Sequence, residues 1–363
     1  MDGWLKNIKR LLVSFIIVGF AQSVMAAELH EMYNGVRGLG MGGASIAVVN
    51  DETALVLNPA ALGKLRDYFV TVVDPELSMS GINERIYSTD ILAPLTPQTT
   101  MATLAANEGV HTHASGKIFP SLVLPNFGIG FLGSFRADAE VLTGGTEFLY
   151  EYRNDYAFVM GFNFRLFDGK VKFGFNGKII NRVDVNESAI DTTTTGNTIS
   201  SLSSEGMGIG ADVGLLMTGP WKMLPTLSIV ARDVGNTRFD LRDGLFNTTT
   251  LKPANEPQKV DVAMAIFPIV GKKTRTSVTL EVRDVTTLSA ELDKNRRYHF
   301  GFEFNFYDAL FLRGGYNQRY WTAGFELAVN NYQLQLATYG EEIGTATTPR
   351  EDRRYMAKFA YRL

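Results

Sequence analysis

The sequence predicts an all-β protein, namely a transmembrane antiparallel β-barrel of about fourteen strands with an N-terminal hatch inside the barrel. Three observations predict this fold. The chain begins with a short apolar segment, its body alternates between apolar and polar residues, and its connections alternate between short and long. The composition agrees, because 24 Phe, 14 Tyr and 35 Gly in 363 residues are typical of a β-protein with one apolar face.

The first 26 residues predict a secretory signal peptide. Lys6, Lys9 and Arg10 precede a run of ten apolar residues at 11–20, and small residues near Ala26 form a cleavage site. A membrane anchor is the alternative, but ten apolar residues fall short of the ~20 that span a bilayer. We therefore expect cleavage near Ala26, a hatch over residues 27–66, a barrel over 67–363, and a location in the bacterial outer membrane.

The body of the chain has a period of two. For example, Phe300, Phe302 and Phe304 alternate with His299 and Glu303. A soluble β-sandwich would also alternate, but its strands average about 5–6 residues, whereas many of these runs extend over 10 to 20. The predicted strands are 67–80, 116–124, 127–141, 148–167, 170–185, 206–217, 223–236, 258–269, 273–286, 297–306, 310–317, 319–329, 332–340 and 353–363.

Connections of two lengths join these strands. The short ones are at 125–126, 168–169, 218–222, 270–272, 307–309 and 330–331. The long ones are at 81–115, 187–205, 237–257, 287–296 and 341–352. Short periplasmic turns, long extracellular loops and an even number of strands are typical of bacterial outer-membrane barrels. Glycines within strands, among them Gly128, Gly130 and Gly208, are expected to mark kinks or bulges.

The composition argues against several classes of function. With 35 basic and 38 acidic residues there is no excess of positive charge for nucleic acid, and the absence of Cys excludes thiol chemistry. His111 and His113 are predicted to lie in a polar loop without a third metal ligand. His299 is the one histidine on a predicted strand, so no catalytic triad is visible. We expect no enzyme activity and no cofactor.

A glycine-rich segment precedes the first predicted strand. It contains Gly38, Gly40, Gly42 and Gly43, followed by the Asn58-Pro59-Ala60 sequence. Three of the glycines match the G-x-G-x-x-G pattern, but no buried strand precedes them, so a dinucleotide site is not expected. Glycine permits the tight turns and close backbone approaches that a segment crossing a barrel needs. Pro59 favours extended backbone at Asn58, whose amide can bond open backbone groups.

This segment resembles the N-terminal hatch of the FadL-type outer-membrane transporter superfamily. The superfamily includes long-chain fatty acid and aromatic-hydrocarbon channels and is related to PorV-like and TraF-like barrels. Segments 230–236 and 281–285 look more similar to the PorV-like and TraF-like members. The resemblance implies a hydrophobic small-molecule ligand, surrounding outer-membrane lipid and lipopolysaccharide, and insertion by the barrel-assembly machinery.

Two functions therefore remain open. The first is passive transport of hydrophobic small molecules across the outer membrane, with sideways exit through an opening between strands. The second is a PorV-like or TraF-like structural or interaction barrel that supports protein secretion or surface attachment. An apolar cavity beside the hatch would favour the first, and a lumen with only ion pairs the second. The lumen residues expected to form a polar path or to anchor the hatch are Arg136, Arg165, Glu281, Arg283 and Glu303.

Overall fold

The computed structural model of the protein describes residues 31–82, 95–193, 195–247, 249–271 and 273–363. The predicted signal peptide, its cleavage site near Ala26 and residues 27–30 of the predicted hatch lie outside these ranges. No helix in the described ranges is long and apolar enough to cross a membrane.

Most of the described chain forms strands that run antiparallel to their neighbours. The strand segments are β1 Phe69–Val73, β2 Glu76–Ser80, β3 His111–Ile118, β4 Ser121–Leu124, β5 Phe127–Val141, β6 Glu147–Leu166, β7 Val171–Asp191, β8 Ser204–Thr218, β9 Thr226–Arg232, β10 Arg238–Arg242, β11 Lys259–Ile266, β12 Thr274–Val282, β13 Tyr298–Phe306, β14 Leu310–Asn317, β15 Tyr320–Val329, β16 Tyr332–Glu342 and β17 Glu351–Arg362. In three places (β1 and β2, β3 and β4, β9 and β10) two segments continue one barrel strand, which gives fourteen barrel strands.

The sheet closes on itself at the last strand. β17 pairs with β16 on one side and with both β1 and β2 on the other, so that Thr71 lies opposite Arg362 and Ser78 opposite Met356. Closure removes the free strand edges whose backbone groups would otherwise be unsatisfied in lipid. The predicted all-β transmembrane barrel of about fourteen strands is confirmed.

The period of two separates the faces of the wall. On β13 the rings of Phe300, Phe302 and Phe304 are exposed on the outside, while His299 and Glu303 are buried on the inside. Apolar residues outside and polar residues inside are what a lipid-embedded barrel with a polar lumen requires.

The connections divide between the two ends of the barrel. One end carries 125–126, 167–170, 219–225, 267–271, 307–309 and 330–331, together with Leu363. The other carries 81–82, 95–110, 142–146, 192–193, 195–203, 243–247, 249–258, 283–297, 318–319 and 343–350. Asn126, Asp168 and Asn330 have φ of 71°, 55° and 50°, a left-handed conformation that Asn and Asp tolerate better than most residues. We call the end of the barrel that carries the short connections the short-turn end.

We expect proteinase K, added to intact cells, to cut within 192–203 and 243–251 and to spare the turn at Asp168-Gly169. Phe239 and Glu256 lie near the two ends of the connection between β10 and β11. Both are held inside the barrel, so we expect the residues beside them to be protected from the protease. Mass spectrometry of the fragments measures the result, with permeabilised cells as the control. Cutting at Asp168-Gly169 in intact cells would show that the barrel is inserted the other way round.

Six short helices accompany the described strands: α1 Val36–Gly40, α2 Ala54–Leu57, α3 Pro97–Leu104, α4 Ile199–Leu202 and the 3₁₀ helices Pro59–Lys64 and Lys294–Arg297. The sequence predicts a helix in 97–108 that lies over the barrel mouth. α3 instead packs Met101 and Leu104 against Phe148 and Tyr150, among others. Phe148 and Tyr150 lie on the same face of β6 as the lipid-facing Phe158, so α3 covers the outside of the long strands β5 and β6.

Two neighbouring barrel strands are interrupted at the same height. Asp74-Pro75 separates β1 from β2, and Phe119-Pro120 separates β3 from β4, with Thr71 opposite Ser121 and Glu76 opposite Lys117. Proline has no N–H to donate to a ladder. The strand glycines do not mark these interruptions. A Cβ on Gly128 would lie 3.4 Å from Cδ1 of the hatch residue Leu55, and one on Gly208 would lie 2.3 Å from the carbonyl oxygen of Arg238.

Candidate functional site

Residues 31–65 lie inside the barrel, and from here on the word hatch refers to this range. Its apolar side chains Leu55, Leu57 and Leu62 are buried in one cluster with Leu132 and Val159 of the wall. Phe239 of β10 joins the same cluster. Burial of this apolar surface is what holds the hatch against the inside of β5 to β8.

The glycines bring the hatch backbone directly onto strands β13 to β15. Gly42 and Gly43 have φ of +67° and +83°, which most residues avoid. A Cβ on Gly42 would lie 2.2 Å from the carbonyl oxygen of Phe300, and one on Gly40 would lie 3.0 Å from the Cα of Gly324. The amide of Gly43 donates to the carbonyl of Gly38 at 2.8 Å, which closes the turn. Side chains at these positions would push the hatch off the wall.

Asn58 joins the two halves of the hatch to the wall. Its Oδ1 accepts the N–H of Ala60 at 3.0 Å and caps the 3₁₀ helix that begins at Pro59. Its Nδ2 donates to the carbonyl of Ile46 at 2.7 Å and to the Oγ of Ser228 at 2.8 Å. A buried amide with three partners satisfies backbone groups that would otherwise be costly to bury.

Charged groups of β12 and β13 bind the first half of the hatch. Arg37 pairs with both carboxylate oxygens of Glu303 at 2.9 and 3.0 Å and with Asp51 at 2.9 Å. Glu281 accepts the amides of Ser45 and Ile46 at 2.8 and 3.1 Å. Such bonds to a charged group are stronger than neutral ones.

Two further guanidinium groups hold the hatch through its carbonyls. Arg283 donates to the carbonyl of Gly43 at 2.6 Å, and Arg165 donates to that of Leu65 at 3.0 Å. Arg136 pairs with Asp138 at 3.0 Å in the lumen. Four of the five lumen residues singled out in the sequence therefore contact the hatch.

Several contacts of the hatch were not foreseen from the sequence. Arg37 lies within the glycine segment, and Thr322 of β15 bonds the carbonyl of Gly40 and the amide of Gly42 at 3.0 and 2.9 Å. Asn163 and Asn176 donate to hatch carbonyls in the same way. For Thr322, Asn163 and Asn176 the sequence offers one signal, which is their place on the polar face of an alternating strand.

The hatch also carries a strongly perturbed carboxylate. Burial alone would raise the pKa of Asp51, but the nearby charges of Arg37 and Arg362 hold that pKa well below its usual range. Arg37 thus ties one hatch turn to another and both to Glu303. Because the Asp51 pKa is depressed, its contribution to stability is present above its unfolded pKa and is lost only in strong acid.

A cavity of about 110 Å³ lies between the hatch and the other end of the barrel. Its lining includes Met32 and Tyr33 of the hatch but is mainly charged. Lys178 pairs with Asp212, and Arg182 with Asp155, each at 2.7 Å. This cavity is therefore not the apolar, acyl-sized one that would favour transport.

A carboxylate from a long connection also reaches this cavity. Glu256 pairs with Arg153 at 2.9 Å and with Arg182 at 2.5 Å. Burial would raise the pKa of Glu256, but the two guanidinium groups lower it to about 2. The connection 243–258 is thereby fixed at its end inside the lumen.

Polar and aromatic groups fill the interruption of the wall at Pro75 and Pro120. Lys358 lies 3.0 Å from Asp74 and 2.9 Å from Glu76, and the hydroxyl of Tyr33 donates to Glu76 at 2.7 Å. The Phe119 ring is fully buried, 5.8 Å from the Tyr33 ring. The start of the described hatch therefore docks directly on the interrupted wall.

The two histidines of the His-x-His sequence do not lie in a loop. Both belong to β3 and point into the barrel, where His113 Nδ1 lies 2.6 Å from a carboxylate oxygen of Asp138. The sequence prediction was wrong because β3 begins five residues earlier than the predicted strand. Within the described ranges no group of three or more His, Asp or Glu side chains is arranged to hold a metal ion.

Comparison with known proteins identifies the fold. No protein-family model matches the chain, and no curated protein matches it. The solved Pseudomonas putida toluene transporter TodX is 10% identical, with a TM-score of 0.52 over 91% of this chain and 97% of that one. The Ralstonia pickettii toluene transporter TbuX is 12% identical, with a TM-score of 0.51 over 91% and 98%. The CymD monoaromatic hydrocarbon channel is 10% identical, with a TM-score of 0.52 over 90% and 96%.

At these identities the likeness concerns the fold alone. It extends over nearly the whole of each chain, and these structural neighbours are channels and transporters, not enzymes. The comparison therefore shows that the chain shares the β-barrel fold of these channels and transporters, in agreement with the resemblance indicated by the hatch sequence.

Proposed function

We propose that this protein is an outer-membrane barrel that carries hydrophobic small molecules passively across the outer membrane. In this proposal residues 1–26 are removed, residues 27–66 form the hatch, residues 67–363 form the barrel, and the protein has no enzyme activity. The fold shared with hydrocarbon channels over nearly the whole chain supports the proposal.

The supporting observation is a filled lumen beside an interrupted wall. The hatch occupies the barrel with buried backbone and side chains, so a straight path is closed. The wall lacks continuous pairing at Pro75 and Pro120, and there the Phe119 ring is buried in the cluster that contains the hatch side chains. A hydrophobic ligand would leave sideways at this interruption, past the rings of Phe119 and Tyr33.

Movement of Phe119 and Tyr33 would open such a route. Tyr33 also receives the ammonium group of Lys117 over its ring at 5.5 Å, and Lys117 donates to the carbonyl of Asn34 at 3.0 Å. These contacts hold the start of the hatch to the wall. A ligand shifts this arrangement only if it binds the open state better than the closed one.

We expect Phe119→Ala to raise the uptake of radiolabelled toluene into proteoliposomes severalfold, because it removes the ring that fills the interruption. Phe131→Ala is the matched control, since Phe131 lies on the lipid side of β5. Because a buried Phe→Ala change typically costs about 3–5 kcal/mol of stability, Phe119→Leu provides a milder second variant. Wild-type uptake in both folded variants would rule out this exit route.

One observation supports the second candidate, an interaction barrel that assists secretion or surface attachment. Ion pairs line the cavity, and Arg37, Glu281 and Arg283 fix the hatch firmly. Native lipid mass spectrometry of the purified barrel distinguishes the two functions. A retained hydrophobic molecule is expected for a transporter, whereas an empty barrel without uptake would favour the interaction role.

A further inference from the structure

Three cationic residues, Lys64, Arg165 and Lys172, belong to the hatch or lie beside it at the short-turn end of the barrel. Arg165 on β6 and Lys172 on β7 are direct cross-strand partners on the inner face. Arg165 donates to the hatch carbonyl of Leu65, and a Cβ on Gly63 would lie 3.0 Å from the Cδ of Lys172. Lys64 of the hatch follows Gly63, and its ammonium group lies 3.2 Å from the carbonyl oxygen of Ala47 and 5.5 Å from the centre of the Phe267 ring. We call these three residues the cation trio.

The cation trio differs from the other lumen cations in its partners. Lys178, Arg182 and Arg232 each lie 2.7 Å from an aspartate. In the described part of the chain no carboxylate lies within ion-pair distance of any member of the trio. Each member donates instead to a backbone carbonyl, namely those of Ala47 for Lys64, Leu65 for Arg165 and Gly169 for Lys172.

This arrangement is electrostatically unfavourable without an added negative charge. Like charges directly opposite each other on neighbouring strands destabilise a sheet. Burial and, to a smaller extent, the charges of Arg37 and Lys172 lower the pKa of Lys64 to about 7, while Asp51 and Glu303 act in the opposite direction. A site that holds three cations together at this cost is suited to an anion.

We propose that Lys64, Arg165 and Lys172 bind an anionic group, a carboxylate or a phosphate, that approaches the hatch from the short-turn end. A guanidinium group offers a planar pair of donors to such an oxyanion, and two ammonium groups add point charges. The proposal does not depend on transport, since a barrel with an interaction role would present the same site.

Thermal unfolding of the purified full-length barrel in a neutral detergent tests the proposal. Inorganic phosphate is titrated against chloride at constant ionic strength, and a ligand that binds the folded state raises the unfolding midpoint. We expect phosphate to stabilise the wild type and Lys172→Met to weaken its apparent affinity by about tenfold or more. Arg275→Gln is the control, because Arg275 is an exposed cation at the same end with Asp308 at 3.4 Å. No phosphate response in the wild type, or equal responses in both variants, would overturn the proposal.

Two further readouts separate binding from a structural role. Without phosphate, Lys172→Met is expected to be at least as heat-stable as the wild type, because it removes a like-charge pair; a clear loss would indicate that Lys172 is structural. Protonated Lys64 is the binding form, so its loss of a proton as pH rises through about 7 should weaken phosphate binding. Phosphate itself gains negative charge over the same range in both proteins, so the comparison is the ratio of the wild-type affinity to that of Lys64→Met. This ratio should fall as pH rises, and a constant ratio would remove Lys64 from the site.

The source of the anion is resolved in nanodiscs. If a lipid headgroup occupies the site, discs of anionic phospholipid should abolish the phosphate response that discs of zwitterionic phospholipid retain. If a soluble anion occupies it, the response should be the same in both. Loss of the response in both kinds of disc, with the detergent response intact, would show binding that exists only outside a membrane and would overturn the proposal.

Discussion

Deletion of residues 35–60 is expected to leave a barrel that folds but leaks small polar solutes. The strands satisfy their own backbone hydrogen bonds, so the wall does not depend on the hatch for its ladder. Removing the hatch exposes Glu281, Arg283 and Glu303 to a lumen that water can enter, where these charges are readily solvated. Swelling of proteoliposomes in small sugars measures the increase in permeability.

The matched control for this variant removes residues from a connection and leaves the hatch intact. Deletion of the exposed residues 195–196 shortens the connection between β7 and β8 without touching the hatch, and it should leave the barrel sealed. If the hatch deletion folds without any rise in permeability, residues 35–60 are not a plug. The transport proposal would then lose its main support to the interaction barrel.

The strands and the hatch were predictable because their signals are local. An alternating run such as β13 shows its lipid face directly, since each exposed Phe is followed by a polar or small residue. The close glycines and the Asn58-Pro59 pair likewise indicate a backbone that turns tightly and passes close to a wall. Neither signal requires knowledge of which residues meet across the barrel.

The contacts between hatch and wall were not predictable, because they join distant parts of the chain. Arg37 and Glu303 are 266 positions apart, and nothing in either neighbourhood specifies the partner. The sequence places Glu303 on the lumen face of an alternating strand but does not identify its partners. The structure instead places it between Arg37 and Arg313, so that its loss would leave two buried guanidinium groups without their shared partner.

The same reason explains the interruption at Phe119. In the sequence, the Phe119-Pro120 pair lies inside a predicted strand, and Pro alone indicates only a weakened ladder. The matching interruption at Pro75 lies in another strand, and Tyr33 comes from the hatch. The site therefore becomes visible only when three separate segments are brought together.

Phe302→Arg is expected to destabilise the barrel by about 2–4 kcal/mol, the cost of a cation on the lipid face near the bilayer midplane. Phe302 lies in the middle of β13 with its ring exposed on the outside, between Phe300 and Phe304. Phe306→Arg is the matched control on the same strand and face, at the last residue of β13, where the cost should fall to about 0–1 kcal/mol. Urea titration of folding into liposomes measures the stability of both variants.

Equal losses of stability would place both residues at the same depth in the membrane. A larger loss for Phe306→Arg would contradict the position of β13 in the membrane that its boundaries indicate. If neither variant is destabilised, the rings of β13 do not contact lipid, because only the hydrocarbon core imposes this cost on an exposed arginine.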